Sequence, residues 1–338
     1  MSFDRLQERI DKLQNPSVVG LDPALEHVPP QILEKQIALL GETLEAAAVA
    51  VCEFNFGLID ALCDIVPAVK PQSAYYEMLG PEGVAVLKQT CDYAKAKGMY
   101  VIVDGKRNDI GSTAAAYSAA YLGAVKVGGT ELHPFDADAL TVNAYLGSDG
   151  IKPFIDMAVK YDKAVFALVR TSNPSAGELQ DLIVETRGDI GHGDGFLPTL
   201  RAGISPAALS ASHGKGAIPM YSEETLYTAV GDLMEKISIE TVGKYGFTRV
   251  GAVVGATYPE EAKFLRDRLA NTFFLVPGYG AQGGSAAEAA RAFDANGRGA
   301  IVNSSRAIIA AWKKSGGDYA AAARAEALRM REELRQVI

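Results

Sequence analysis

Residues 100–122 read YVIVDGKRNDIGSTAAAYSAAYL and join a strand, a charged turn and a helix in one stretch. The apolar run Tyr100–Asp104 is typical of a strand that is buried on both faces. The segment Ile110–Leu122 has a helical pattern, and the charged turn DGKRND separates it from the strand. This unit therefore indicates a parallel sheet whose faces are covered by helices.

Seven further apolar runs are separated by segments with helical periodicity. They are Ser17–Leu21, Val66–Lys70, Ala139–Asn143, Val165–Val169, Val250–Val254, Phe273–Val276 and Ala300–Val302. Alternating strands and helices in a chain of 338 residues predict a (β/α)8 TIM barrel, with residues 1–338 forming a single domain. A doubly wound open sheet is the alternative, but no G-x-G-x-x-G motif follows the first predicted strand.

A Gly-rich insertion is predicted between the fifth and sixth strands, at about residues 187–219. Its core, Arg187–Pro219, contains seven glycines and three prolines, which favour a compact loop or flap over a helix. His192 and His213 lie in it and could bind a metal, but isolated exposed histidines are commoner, and no metal site is predicted. The stretch Val127–Asp136 is interpreted as an additional loop before the fourth strand.

The composition excludes several classes of protein and partner. With 33 Lys and Arg against 41 Asp and Glu, the chain has a net charge of −8 and no basic stripe, which argues against nucleic acid as a partner. Cys52, Cys63 and Cys91 include no C-x-x-C pair and indicate neither disulfides nor zinc. Since the sequence also lacks a signal peptide and a membrane span, we expect a soluble protein of the reducing cytoplasm.

Polar residues follow three neighbouring strands at the end where barrel enzymes carry their active sites. Asp22 follows the first strand, Lys70 ends the second, and Asp104 and Lys106 end the third. Residues two apart on a strand share a face, so Asp104 and Lys106 are expected in the same mouth as Lys70. A lysine flanked by carboxylates stays protonated, which suits a proton donor better than a nucleophile.

The alternative interpretation of DGKRND is a solvated charged turn, which would suffice for an isolated D-x-K-x-x-D pattern. The buried strand before it, the helix after it and the charges from the two neighbouring strands favour a site instead. On the opposite side, Pro277–Gly284 and Arg306 follow the seventh and eighth strands. Glycine backbone N–H groups, a helix starting at Ser285 and an arginine predict a phosphate site there.

These motifs together closely resemble the orotidine 5′-phosphate decarboxylase family, and more narrowly its bacterial second subfamily. The matching motifs are GLDP at Gly20–Pro23, KPQ at Lys70–Gln72, DGKRNDIG at Asp104–Gly111, TSNP at Thr171–Pro174, VGAT at Val254–Thr257, PGYGAQGG at Pro277–Gly284, and Arg306. The resemblance extends from about residue 16 to 310. The long insertion and the loop before the fourth strand depart from the family pattern without touching these motifs.

The resemblance implies decarboxylation of orotidine 5′-monophosphate (OMP) to uridine 5′-monophosphate (UMP), the final step of de novo pyrimidine synthesis, without a cofactor. It implies that Lys106 protonates C6, that Asp104 lies against the departing carboxylate, and that Asp22 and Lys70 hold the ribose. It further implies a homodimer with shared active sites, in which Asp109 and Thr113 reach the partner's site. The remaining implied substrate contacts are Ser172 at the pyrimidine, Gln282 between base and phosphate, and Gly283 and Arg306 at the phosphate.

Three other functions are weighed against this one. A metal-dependent sugar-phosphate decarboxylase of the same suprafamily shares D-x-K-x-x-D, but the TSNP and GAQGG elements argue against it. A catalytically silent nucleotide-binding barrel would be expected to lack Lys106 or Asp104, and both are present. A Schiff-base aldolase needs a lysine with a lowered pKa, whereas flanking carboxylates raise the pKa.

Overall fold

The structure is a computed structural model that describes residues 1–187, 221–280 and 283–338. Its strands are β1 (Ser17–Leu21), β2 (Ala68–Pro71), β3 (Tyr100–Arg107), β4 (Val125–Val127), β5 (Thr130–Leu132), β6 (Ala139–Val142), β7 (Ala164–Arg170), β8 (Ile183–Arg187), β9 (Tyr221–Thr225), β10 (Val250–Val254), β11 (Phe274–Val276) and β12 (Ala300–Ser304). Eight of them pair in parallel around a closed barrel, in the order β1-β2-β3-β6-β7-β10-β11-β12 and back to β1. The predicted TIM barrel is confirmed.

Fourteen α-helices accompany these strands in the described ranges, and most of them connect the strands and cover the outside of the barrel. They are α1 (Ser2–Leu13), α2 (Pro30–Leu40), α3 (Leu44–Leu62), α4 (Ser73–Glu77), α5 (Gly80–Ala96), α6 (Gly111–Tyr121), α7 (Ser148–Tyr161), α8 (Gly177–Gln180), α9 (Leu226–Ser238), α10 (Pro259–Arg268), α11 (Ala286–Ala290), α12 (Arg306–Ile309), α13 (Trp312–Ser315) and α14 (Tyr319–Arg335). Side-chain caps fix several starts, as where Thr43 accepts from Ala46 N and Asp318 accepts from Ala321 N. None of the helices within the described ranges combines the length and the apolarity that a membrane crossing requires.

The apolar residues form two cores because side chains alternate along each strand. Outward-facing residues pack under the helices, while inward-facing residues fill the barrel together with α1. Phe3 of α1 lies against Phe166 and Phe273, with ring centroids 4.9 and 5.0 Å apart. Ser2 Oγ is 2.7 Å from the hydroxyl of Tyr100, the first residue of β3. Helix α1 therefore closes the end where the strands begin, which leaves the opposite end for a cavity.

The strand predictions agree closely with the structure, and the largest difference is at β3. This strand continues to Arg107, three residues beyond the predicted end at Asp104. Its pairing with β6 is irregular between Val103 and Arg107, and Lys106 has φ of 47°. The charged turn is thus an irregular end of the strand, and a residue other than glycine in the left-handed region indicates local strain.

Two connections contain strands that the sequence interpretation left out. The stretch Val127–Asp136, interpreted as a loop, contains β5 and the last residue of β4, which pair as an antiparallel hairpin around Gly128 and Gly129. Two glycines between short β-rich runs are a hairpin signal, so the sequence did carry the information. Strands β8 and β9 form a second antiparallel hairpin between β7 and β10. Residues 188–220, with most of the proposed insertion and both of its histidines, lie outside the described residues.

Candidate active site

A cavity of about 720 Å³ opens where the parallel strands end. Its lining includes most of the residues that the sequence placed in one mouth. The polar residues that line it are Asp22, Glu26, His27, Lys70, Gln72, Tyr75, Asp104, Lys106, Thr141, Thr171, Ser172, Asn173, Gln180, Tyr279, Asn303, Ser305 and Arg306. The site is therefore assembled from the ends of all eight barrel strands or the loops that follow them.

Two lysines and one aspartate form a row of alternating charges on one side of this cavity. Lys70 Nζ is 2.6 Å from Asp104 Oδ2, and Lys106 Nζ is 2.7 Å from Asp104 Oδ1. The Lys70 and Asp104 side chains are 5% and 9% exposed, whereas that of Lys106 is 47% exposed. Lys106 is thus the lysine of this row that a ligand in the cavity can reach most readily.

Burial and charge oppose each other in this row. Burial disfavours the Asp104 carboxylate, but attraction to Lys70 and Lys106 outweighs it and holds the pKa of Asp104 well below its usual range. Burial also acts to lower the pKa of Lys70, but attraction to Asp104 and Asp22 outweighs it and raises that pKa. Asp104 is consequently ionised and Lys70 protonated at neutral pH, so the row carries a net positive charge.

Thr141 of β6 holds this row in place, although the sequence analysis did not predict it as a site residue. Its hydroxyl donates to Asp104 Oδ1 at 2.8 Å and accepts from the backbone N–H of Lys106 at 2.9 Å. The second bond fixes the backbone of Lys106 in its left-handed conformation. A threonine inside the apolar run Ala139–Val142, one residue before its end, is the signal that could have identified it.

Asp22 and Asn303 offer buried oxygens to the cavity. Asp22 Oδ1 and Asn303 Oδ1 are both buried and have no hydrogen-bond partner among the described residues. A buried acceptor without a partner is costly, so a ligand that donates hydrogen bonds would satisfy both. Close packing builds this corner, since a Cβ on Gly20 would lie 1.8 Å from Ser305 Oγ.

Ser172 lies on the cavity wall in the segment that follows β7. The backbone passes close to the next strand end, where a Cβ on Gly255 would lie 2.9 Å from Cβ of Ser172. Thr257 Oγ1 donates to the Ser172 carbonyl at 3.4 Å. The TSNP motif and the VGAT motif are thus in contact, and glycine at position 255 permits that contact.

Arg306 lines the cavity at the first position of α12, the helix that follows β12. Its side chain makes no ion pair with any residue in the described part of the chain, and Pro277 and Gly278 line the cavity beside it. An exposed guanidinium at this position suits an anionic group.

The glycine-rich loop beside Arg306 is only partly described. Gln282 lies outside the described residues, whereas Gly283 has φ of +98° and donates its N–H to the Gly280 carbonyl at 2.9 Å. The predicted helix after this loop begins one residue later than expected, with Ser285 as its cap. Because Ser285 and Glu288 form a capping box, the start of α11 already has an acidic side chain bound to it.

Three of the predicted site residues that the structure describes, Gly283, Asp109 and Thr113, do not line the cavity. Asp109 accepts a hydrogen bond from Ile110 N at 2.7 Å, and Thr113 is exposed in the first turn of α6. Ile110 between them is 54% exposed although it is apolar. The described residues also contain no group of three His, Cys, Asp or Glu side chains placed to bind a metal ion.

Comparisons with known proteins agree with this geometry. Residues 19–196 match the model of the orotidine 5′-phosphate decarboxylase / HUMPS family. The chain is 39% identical to the orotidine 5′-phosphate decarboxylase of Rhodopirellula baltica, over 94% of this chain and 93% of that protein. It also resembles the solved Leishmania donovani OMP decarboxylase, with a TM-score of 0.66, 29% identity and coverage of 99% and 98% of the two chains. The chain belongs to the orotidine 5′-phosphate decarboxylase family.

Proposed function

We propose that this protein converts OMP to UMP and CO2, the last step of de novo UMP synthesis, without a metal or an organic cofactor. The observation that carries the proposal is the row Lys70, Asp104 and Lys106 at the mouth of a barrel of this family. This row places a fixed carboxylate and a reachable ammonium group side by side, and loss of CO2 with protonation requires both kinds of charge.

In the proposed reaction the bond between C6 and the carboxylate breaks, CO2 leaves, and the electron pair of the bond stays on C6. The Asp104 carboxylate lies near the departing carboxylate and disfavours it in the ground state, while Lys106 stabilises the negative charge that develops at C6. Lys106 Nζ then donates a proton to C6, which gives UMP. The neutral lysine recovers its proton from solvent, which its 47% exposure permits.

The substrate contacts follow the walls of the cavity. Asp22 and Lys70 hold the ribose hydroxyls, and the unpartnered Asp22 Oδ1 supplies an acceptor for one of them. Ser172 binds the pyrimidine. Arg306 binds the phosphate together with Gln282 and Gly283. Binding energy from the phosphate can then support distortion at the distant C6.

The active unit is proposed to be a homodimer that shares its sites. In this arrangement Asp109 and Thr113 reach into the cavity of the partner subunit. The location of both residues outside the cavity of their own chain, next to the exposed Ile110, supports the proposal. The cytoplasm is the proposed compartment, and neither nucleic acid nor a membrane is a proposed partner.

The test is a direct assay of the purified protein with OMP, followed by the loss of OMP absorbance and by UMP formation. We expect turnover that EDTA leaves unchanged. Turnover that EDTA abolishes would favour a metal-dependent decarboxylase. Binding of UMP without any turnover of OMP would favour a silent nucleotide-binding barrel.

A further inference from the structure

Gln180 lines the cavity but has no role in the mechanism described so far. Its side chain, on the last residue of α8, makes two hydrogen bonds with Thr171, the residue directly after β7. Gln180 Nε2 donates to Thr171 Oγ1 at 2.7 Å, and Gln180 Oε1 accepts from Thr171 N at 3.0 Å. The amide thus binds both the backbone and the hydroxyl of the residue beside Ser172.

Arg170 in turn holds Gln180. Its side chain is 2% exposed, and its Nη1 lies 3.4 Å from Gln180 Oε1 and 3.1 Å from Asp181 Oδ1. Its guanidinium carbon lies 3.8 Å from the ring centroid of Tyr258. A buried cation fixed by an aspartate and an aromatic ring is a rigid support for the amide.

The segment Thr171–Asn173 is also held from its other side. Thr171 Oγ1 donates to Asn173 Oδ1 at 2.7 Å, so the Gln180 amide orients a chain of two hydrogen bonds. The Tyr258 hydroxyl donates to the Asn173 carbonyl at 3.5 Å. Gln180 and Tyr258 therefore both support this segment, and Arg170 contacts each of them.

We infer that Gln180 is a positioning residue for nucleobase recognition, which it performs by fixing the polar groups of Thr171–Asn173 toward a pyrimidine ring. The inference rests on the proposed function, because it takes Ser172 as the contact to the base. A site reads a heterocycle through hydrogen bonds only when its own donors and acceptors are held in place. Phosphate and ribose contacts come from other strands and do not depend on Gln180.

The experiment compares UMP with ribose 5-phosphate, which lacks the base. Dissociation constants are measured by calorimetry for the wild type, Gln180→Leu and the control Glu178→Ala, whose side chain is exposed on the same short helix. We expect Gln180→Leu to weaken UMP binding about tenfold or more, equivalent to ~1.4 kcal/mol, and to leave ribose 5-phosphate within about twofold. Glu178→Ala should change neither constant.

Thr171→Val provides a second variant, because it removes the hydroxyl that Gln180 binds while keeping a similar shape. In a folded protein it should show the same selective loss of UMP affinity. Equal losses for both ligands, or unchanged UMP affinity in both variants, would overturn the inference and leave the proposed function standing. A wild-type protein that neither binds UMP nor converts OMP would overturn both.

Discussion

At the scale of single residues, the site depends on one buried carboxylate between two ammonium groups. Asp104 contacts Lys70 and Lys106 through different oxygens and accepts a third hydrogen bond from Thr141. Three donors on one carboxylate fix its orientation, and the surplus positive charge is left on the half-exposed Lys106. The two lysines are therefore not equivalent, because Lys70 is enclosed and Lys106 faces the cavity.

Lys106→Ala should abolish decarboxylation and leave the fold intact. The substitution removes the proton donor and the nearest cation to C6 together, so kcat should fall by at least about 10³-fold. Alanine at position 106 adopts the same left-handed backbone conformation as the lysine it replaces, so the fold should tolerate the change. Steady-state kinetics and thermal unfolding check this, with Lys152→Ala on the exposed face of α7 as the control. Near-normal turnover in a folded Lys106→Ala protein would refute the role of this lysine.

Asp104→Asn should destabilise the protein in a pH-dependent manner. The folded state lowers the pKa of Asp104, so its charge stabilises the fold above the ordinary aspartate pKa of ~3.9, and this is lost as the pH falls further. The raised pKa of Lys70 acts in the opposite direction. The Lys70 charge stabilises the fold at pH values below the ordinary lysine pKa of ~10.4, and this stabilisation is lost at higher pH. Removing one partner of a buried pair costs about 3–5 kcal/mol.

Denaturant unfolding across pH measures this prediction. The difference in the free energy of unfolding between wild type and Asp104→Asn should be largest between pH ~4 and pH ~10, the ordinary pKa values of aspartate and lysine, and should shrink below pH ~4. Asp92→Asn, which breaks an exposed ion pair with Lys88 on α5, should change stability by only ~0–1 kcal/mol. A difference that does not change down to strongly acid pH would show that Asp104 stabilises the fold by packing instead of charge.

The residues of this row differ in how far the sequence could reveal them. Asp104 and Lys106 are two apart at a strand end, and Lys70 ends the preceding strand, so local pattern places all three together. Thr141 joins them only because β6 is the next strand to β3 in the barrel. Gln180 likewise acts on Thr171 through a short helix that no periodicity predicted. Contacts of this kind join residues from separate elements, and the periodicity along a single sequence does not show which elements will be neighbours.

At the scale of elements, the charged row and the proposed phosphate-binding residues lie at the ends of different strands. β2 and β3 carry the charged row, whereas β11 and β12 lead to the glycine-rich loop and to Arg306. The apolar runs predicted the barrel strands within a few residues because both faces of each strand are buried. The two hairpins were missed, since their strands lie outside the barrel and contain no continuous apolar run.

Arg306→Ala should lower kcat/KM much more for OMP than for orotidine, which lacks the phosphate. A charge-assisted hydrogen bond contributes ~1.5–3 kcal/mol, so a loss of about ten- to a hundredfold is expected for OMP. Turnover of the nucleoside should barely change. Arg291→Ala removes an exposed arginine elsewhere and controls for net charge. Equal losses for both substrates would mean that Arg306 supports the fold or the base pocket.

At the scale of the whole molecule, the barrel is closed at one end and open at the other. Helix α1 fills the end where the strands begin, with Phe3 between Phe166 and Phe273. The sequence of α1 does not reveal this place, because Phe3, Leu6 and Ile10 pack against residues of several strands that are far apart in the chain. Of the predicted site residues that the structure describes, Gly283 does not line the cavity at the open end, and neither do Asp109 and Thr113.

Mixing two inactive variants tests whether Asp109 acts in the site of the partner subunit. Lys106→Ala and Asp109→Ala should each be inactive alone, because every site in either homodimer lacks one essential side chain. In a heterodimer of the two, one site collects both defects and the other has none. Random exchange makes about half of the dimers mixed, so about one quarter of wild-type activity should return. Exchange is followed by mass spectrometry of differently tagged chains, and Lys106→Ala mixed with wild type serves as the control for exchange. If fully exchanged chains stay inactive, Asp109 acts on its own subunit, and the charged row must work within a single barrel.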